Sequence, residues 1–327
     1  MFGKTIDRSR CDACGECIRV CRSSRVIAKG PDGFPAYAFE QRCIDCGHCL
    51  AICPRGAISF ARPGEAGADG YCAEARALEG TKGVPDPVLR LLFSVRSTRS
   101  FEAREVEREK IELILEAMVR APSAGNEQNR NYYIYPSKPT VDVLEADTRG
   151  YFGRTTAQFA DPATARLVAE ALAARDLSGT VVRNRTIADL PRENRVTAYV
   201  DLFRDLARRP ADPAFRYYWN APAAILVTSN TNIEEMHKPF HKADSEIAVT
   251  YGTIAAARLG LSTCRMGLSE MAFAGDAAMR EKHGIPANER VDGILALGYS
   301  ALQWKQLPPR GPVKAIWKQR LVDSGKP

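Results

Sequence analysis

Two runs of four cysteines constrain this chain more than any other feature. The first, CDACGECIRVC, carries Cys11, Cys14, Cys17 and Cys21; the second, CIDCGHCLAIC, carries Cys43, Cys46, Cys49 and Cys53 and is followed by Pro54. Thiols this close cannot all be paired as disulfides without severe strain, because a bridge needs Cα pairs at particular separations and orientations. Metal is what such a run can hold. A pair of zinc sites is the plain alternative, since C-x2-C also builds zinc ribbons, although zinc sites seldom use a third cysteine at x2 and a fourth at x3 in both halves.

The order C-x2-C-x2-C-x3-C-P is the signature of a bacterial ferredoxin loop around a 4Fe-4S cubane, and the doubled run resembles a two-cluster bacterial ferredoxin. In that arrangement the fourth cysteine of each run serves the other run's cluster. The resemblance implies Cys11, Cys14, Cys17 and Cys53 around one cluster, and Cys43, Cys46, Cys49 and Cys21 around the other. Gly15 and Gly47 lie between the second and third cysteines, where a residue without Cβ lets backbone N–H groups turn toward sulfur. Arg22 stands where the second run has Pro54, which leaves the ligand in place and changes the local charge. His48, inside the second loop, reads as a residue that covers or tunes a cluster rather than a ligand.

The chain has 327 residues and both runs end early, so residues 1–61 read as the cluster domain. Residues 62–86 are rich in Gly, Ala and Pro with little apolar periodicity and read as a linker. Residues 87–327 suffice for one well-buried domain. The formal charge of +7 counts the cysteines as neutral. Two oxidised cubanes with thiolate ligands lower it to about +3. No Lys/Arg block with interleaved aromatics is present, so nucleic acid is not expected as a partner. No apolar run reaches the length of a membrane span and no signal-peptide core precedes Cys11, which points to the cytoplasm. Cys72 and Cys264 are the remaining cysteines, and they offer no disulfide framework.

In the larger part, PDPVLRLLFSV has helical spacing, RSTRSF interrupts it, and VEREKIELILEAMVRA resumes with Ile111, Ile114, Leu115 and Met118 on one stripe. Pro122, Gly125 and the asparagines stop that helix, and NYYIY begins a strand. RSTRSF (Arg96 to Phe101), a helix, APSAGNEQ (Ala121 to Gln128) and then a strand resemble the opening of the nitroreductase family of FMN flavoproteins. APAAILVTSN, DSEIAVTYGTIAAARLGLSTCRMG, VDGILALGYSA and LPPRGPVKAIW follow in the family's order. The resemblance implies an α+β fold with a central mixed sheet flanked by helices. Between about residues 138 and 215 helices are legible but no motif is.

A flavin mononucleotide presents a dianionic phosphate, a polar ribityl chain and a ring that becomes negative on reduction. Arg96 and Arg99, on either side of Ser97, suit the phosphate and the electron-rich end of the ring. The resemblance implies that Arg310 closes on the phosphate, that Met266 and Gly267 bring backbone N–H groups near N5, and that Pro122, Ser123 and Asn126 reach the ring from a neighbouring subunit. A homodimer with FMN at its interface follows. The chain departs from the family at Val95, where a second arginine is frequent, and at Asn129 and Arg130, where Pro-Trp is usual. His237 and His241 stand four apart, a spacing that could face one metal, yet no third ligand is visible and surface positions or a lid are the expected roles.

The expected function is a flavin-dependent oxidoreductase in which two 4Fe-4S clusters relay electrons to FMN, which reduces a small organic substrate of nitro, quinone or enone type. A reductive dehalogenase-like enzyme on the same scaffold is one alternative. An electron-transfer module serving a protein partner is another. No G-x-G-x-x-G fingerprint follows a strand, so a low-potential protein donor is a natural electron source.

Overall fold

The computed structural model describes residues 3–21, 25–40, 43, 46–61, 87–174, 181–182, 185–186, 192–233 and 235–305. The expected linker, residues 62–86, lies outside the described residues, as do Arg22, Cys72 and the tail with Arg310.

In the N-terminal unit β1 (Gly3–Ile6) pairs antiparallel with β4 (Ile58–Ala61), with Gly3 opposite Ala61 and Ile6 opposite Ile58. Between them lie α1 (Glu16–Val20), the hairpin of β2 (Ile27–Lys29) and β3 (Pro35–Tyr37), and α2 (His48–Ile52). The unit repeats itself. Each short helix begins just after a glycine in the left-handed region, Gly15 at φ 77° and Gly47 at φ 69°, a conformation that costs a residue with Cβ about 1–2 kcal/mol. Val20, Val26, Ile27, Leu50, Ile52, Ile58 and Phe60 form a small core together with Cys17 and Cys49.

The larger unit opens with α3 (Pro87–Ser94) and α4 (Arg108–Val119). Its sheet is built from β5 (Asn131–Tyr135), β8 (Ala223–Asn230), β9 (Ser262–Arg265) and β10 (Glu289–Gly298), in the order β5-β8-β10-β9, with antiparallel neighbours throughout. An isolated parallel bridge from Ser97 to Thr263 adds the mixed character. The runs AAILV and ILALG are apolar on both faces, as buried central strands must be. Ala224, Leu226, Ile294 and Ala296 face one core; Ala223, Ile225, Val227, Leu295 and Leu297 face the other.

The first core is covered by α5 (Lys138–Thr156), α9 (Gly267–Gly275) and α10 (Ala277–Lys282) through Leu144, Phe152, Phe273 and Met279. The second is covered by α4 and α8 (Lys238–Arg258) through Ile114, Met118, Ala248 and Ala256. These two helices cross closely at Gly252, where a Cβ would stand 2.8 Å from Met118 Cγ and Sδ. The motif-poor stretch folds as α5, α6 (Pro162–Ala173), a small hairpin of β6 (Val181–Val182) and β7 (Arg185–Thr186), and α7 (Arg192–Ala211). Ala169, Tyr199 and Phe203 give these helices a core of their own, with Phe159 stacked on Phe203 at 4.4 Å. Among the described residues no helix is long and apolar enough to cross a membrane.

The chain leaves β10 and runs onto the cluster unit. Leu302 and Trp304 join its apolar core, and Lys305 donates its N–H to Ala51 O at 3.0 Å. Arg19 Nη1 donates to Ala301 O at 3.1 Å, and Arg25 pairs with Asp212 just beyond α7.

Candidate functional site

The cysteines gather in two groups drawn from both runs. Cys21, Cys43, Cys46 and Cys49 line one cavity with Tyr37, His48, Phe60 and Arg99. Cys53 lies with Cys11 and Cys14 around Cys17, whose thiol is pushed up to about 12 by burial and by those neighbours. Burial, and then Cys46, Cys21 and Cys43 beside it, hold the Cys49 thiol well above the ordinary value. Buried thiols of this kind keep their protons until a metal charge displaces them. Among the described residues no three Cys, His, Asp or Glu side chains close on one point as ligands of a single ion do. Cys21, Cys43, Cys46 and Cys49 stand instead around a cavity, as ligands at the corners of a cubane do. Backbone donors are in place as well: Ala57 N–H points to Cys53 Sγ at 3.3 Å. The residues present therefore fit 4Fe-4S clusters better than zinc. His48 is buried, with its ring edge-on to Trp304 at 5.0 Å.

The segment after α3 lies along β9, held by the Ser97–Thr263 bridge and by Thr98 N–H donating to Thr263 O at 2.7 Å. β9 then delivers Met266 and Gly267 to the start of α9, a ledge that begins three residues beyond the Ser97–Thr263 bridge. Gly267 is exposed, and a Cβ there would meet nothing within 4 Å. Arg96 and Arg99 diverge from this ledge. The Arg96 guanidinium lies over the Trp304 ring at 4.7 Å and lines a cavity with Ser262, Thr263 and Gly260. Arg99 reaches His48, Nη1 to Nδ1 3.5 Å, and lines two cavities: that of Cys21, Cys43, Cys46 and Cys49, and a second with Phe215, Arg216, Trp219 and Asn220. Trp219 and Asn220 both hold positive φ, 55° and 61°, strain that side-chain-bearing residues keep where the surroundings impose it, often beside a ligand. Cations, hydroxyls and an open ledge at a helix start are what a flavin phosphate and ring need, so these residues fit FMN.

Pro122, Ser123 and Asn126 form an exposed turn in which Gly125, Asn126 and Gln128 are left-handed, at φ 57°, 55° and 52°. Ser123 Oγ accepts from Gln128 N–H at 3.0 Å. The turn is tied to α8, since Asp244 accepts from Ala124 N–H at 3.1 Å. On that helix Glu246, two residues on and so about 200° around the axis, pairs with Arg265 at the end of β9. Within one chain α8 thus stands between the turn and the Met266–Gly267 ledge.

Two expectations change here. His241 is not a surface residue: it is 2% exposed, its Nε2 meets the Glu127 carboxylate, and its Nδ1 lies 2.6 Å from Asn129 Nδ2. Glu127 and Asn129 lie far away in sequence, so the spacing to His237 carried no sign of them. Arg130 is buried and donates to Ala121 O at 2.9 Å and Asp244 O at 3.2 Å, so the departures Asn129 and Arg130 brace the turn from behind. Tyr37 escaped the sequence reading. Its hydroxyl is buried in the cysteine cavity against the Cys49 thiol, with no nitrogen or oxygen partner among the described residues.

Residues 94–299 match the model of the nitroreductase family, and residues 10–58 match that of the 4Fe-4S dicluster domain. Among solved structures the chain is similar to a nitroreductase with bound FMN from Bacteroides fragilis NCTC 9343, at 18% identity and a TM-score of 0.46 over 73% of this chain and 96% of that one. A nitroreductase with bound FMN from Desulfitobacterium hafniense DCB-2 gives 18% identity and a TM-score of 0.47 over 71% and 98%. An FMN-dependent nitroreductase from Clostridium difficile R20291 gives 15% and 0.44 over 72% and 99%. No curated protein matches the chain. With its family match spanning more than half of its length, the chain belongs to the nitroreductase family of FMN-dependent oxidoreductases and carries a 4Fe-4S dicluster domain ahead of it.

Proposed function

We propose that this oxidoreductase takes electrons one at a time through two 4Fe-4S clusters and passes them by way of FMN to a small organic acceptor of nitro, quinone or enone type. One observation carries the reading: Arg99, from the segment expected to grip the flavin, also forms part of the wall of the cysteine cavity. A ferredoxin unit docked elsewhere would have no such shared residue. Cys11, Cys14, Cys17 and Cys53 hold one cluster; Cys43, Cys46, Cys49 and Cys21 hold the other. FMN, when bound, converts single electrons into a two-electron reduction.

The chain's own residues supply position and charge. Arg96, with Ser97 nearby, serves the phosphate, and Arg310 is proposed to close on it. Arg99 faces the end of the ring that gains charge. The ledge of Met266 and Gly267 supports the ring, while Pro122, Ser123 and Asn126 approach it from a second copy of the chain. The position of α8 between turn and ledge supports this last assignment, as does the exposed apolar stripe Phe240, Ile247 and Tyr251 on α8. The cavity of Arg99, Arg216 and Trp219 favours an enzyme over a pure electron carrier. A planar acceptor can lie against the indole while a guanidinium meets the oxygen that gains charge.

The test is anaerobic reconstitution with iron, sulfide and FMN, reduction by a low-potential ferredoxin, and a screen of nitro, quinone and enone acceptors by flavin reoxidation. Cys53→Ser should slow flavin bleaching by reduced ferredoxin and leave bleaching by dithionite near normal. Equal bleaching of variant and wild type with both donors would remove that cluster from the path.

A further inference from the structure

We propose that the two clusters are unequal and ordered: electrons enter at the set of Cys11, Cys14, Cys17 and Cys53 and leave through the set of Cys21, Cys43, Cys46 and Cys49, which Tyr37 and Arg99 make the more oxidising of the pair. This rests on the cluster reading above and adds direction and polarity to it.

The first observation is the Tyr37 hydroxyl. It is a buried donor with no nitrogen or oxygen partner among the described residues, and it lies against the Cys49 thiol in the cavity of the second set. A buried hydroxyl needs an acceptor, and here the one within reach is sulfur. A cluster there supplies sulfur acceptors, and hydrogen bonds to cluster sulfurs are one of the means by which a protein raises the potential.

The second is charge. Arg99 is a cation in that cavity wall, and no carboxylate stands among the described residues that line it. An electron added to a cubane makes it more negative, so a guanidinium nearby favours the reduced form. Among the described residues the other set has no unopposed cation of this kind in a cavity wall: its neighbours are an ion pair, Asp12 with Arg55, and the exposed Arg10 that donates to Arg55 O at 3.0 Å. Asp12 Oδ1 accepts the Cys14 N–H at 3.2 Å, and Arg55, which pairs with Asp12 at 2.9 Å, is 63% exposed and offsets only part of that charge. Exposure works in the other direction, because water around Cys14 also stabilises added charge. The stated order therefore requires the O–H donor and the guanidinium to outweigh solvent.

The third is position. Cys14 is exposed, where a protein donor can approach, whereas Cys49 is buried in the cavity that Arg99 of the larger unit also lines. A one-electron, low-potential protein donor thus meets the first set, and the second set stands next to the segment that grips the flavin. Each passage moves one electron, so two donor molecules are oxidised for each two-electron reduction of the flavin.

Potentiometric titration of the anaerobic holoprotein, followed by the electron paramagnetic resonance of each reduced cluster, tests this without reference to turnover. Wild type should show two one-electron waves. Cys14→Ser should abolish or alter the lower wave. Tyr37→Phe and Arg99→Leu should each move the upper wave down, Arg99→Leu by a tenfold change in the one-electron equilibrium or more, about 59 mV. Arg99→Lys, which keeps the charge, should restore most of it. The proposal is overturned if Cys14→Ser acts on the upper wave, or if both Tyr37→Phe and Arg99→Leu leave that wave in place while iron content stays at wild-type level. Protein that takes up no iron would instead bring down the cluster reading, and the order with it.

Discussion

The buried guanidinium of Arg130 donates to the carbonyl oxygen of Ala121 at 2.9 Å, fastening the end of α4 to the turn that follows it. Arg130→Met takes the guanidinium donor from the Ala121 carbonyl and removes the added bond to Asp244 O within α8, a loss of about 1–3 kcal/mol for buried polar groups. Urea unfolding should register the loss. Protease cleavage near Gly125 should rise in parallel, and FMN retention should fall.

The crossing of α4 and α8 leaves no room for a branched side chain at Gly252. Gly252→Val should destabilise the protein by about 1–3 kcal/mol through overpacking against Met118. Met118→Ala combined with it should recover part of the loss, and a double-mutant cycle by chemical denaturation measures the coupling.

The carboxyl of Glu107 is held down to about 2, from an ordinary 4.5, first by the Tyr299 hydroxyl that donates to it and also by Arg104. Because its folded value lies below its unfolded one, the stabilisation is complete above pH 4.5 and fades as pH falls toward 2. Glu107→Gln should therefore differ from wild type in thermal midpoint at pH 6, with the difference smaller at pH 3 and gone only below about pH 2. A difference that stays constant across this range would contradict the assignment.

Ile247 sits in the middle of the exposed stripe on α8. Ile247→Glu places a charge on the face proposed to meet a second copy of the chain. Sedimentation should show more monomer, and FMN should be lost on gel filtration at the same concentration. A monomer that keeps stoichiometric FMN would show that the turn from Pro122 to Asn126 is not supplied by a partner.

The parts of this molecule legible in its sequence are those whose chemistry is local. Eight cysteines at ferredoxin spacing have few other uses, and the stripe of Ile111, Ile114 and Met118 shows its helix by period alone. Relationships across the chain left no such trace. Trp304 is one aromatic in a polar stretch, and nothing near it in sequence indicates that it packs on His48. Arg130 read only as a departure from the family's usual Pro-Trp, because its partners, carbonyl oxygens, are the same for every residue type. The divergence of Arg96 and Arg99 depends on what packs on each side of the segment, and three residues of spacing do not reveal it.

The docking of Lys305 on Ala51 has a consequence for biosynthesis. The cysteine-bearing unit leaves the ribosome first, but its anchor on β10 and the segment beyond is made roughly 250 residues later, about 10–50 s at ordinary elongation rates. During that interval the thiols have no flavin domain over them and are open to the machinery that delivers iron and sulfide. The order of synthesis thus leaves room for metal loading before closure, and a nascent chain stalled before Leu302 would present the cavity of Cys49 without the segment that later covers its flank.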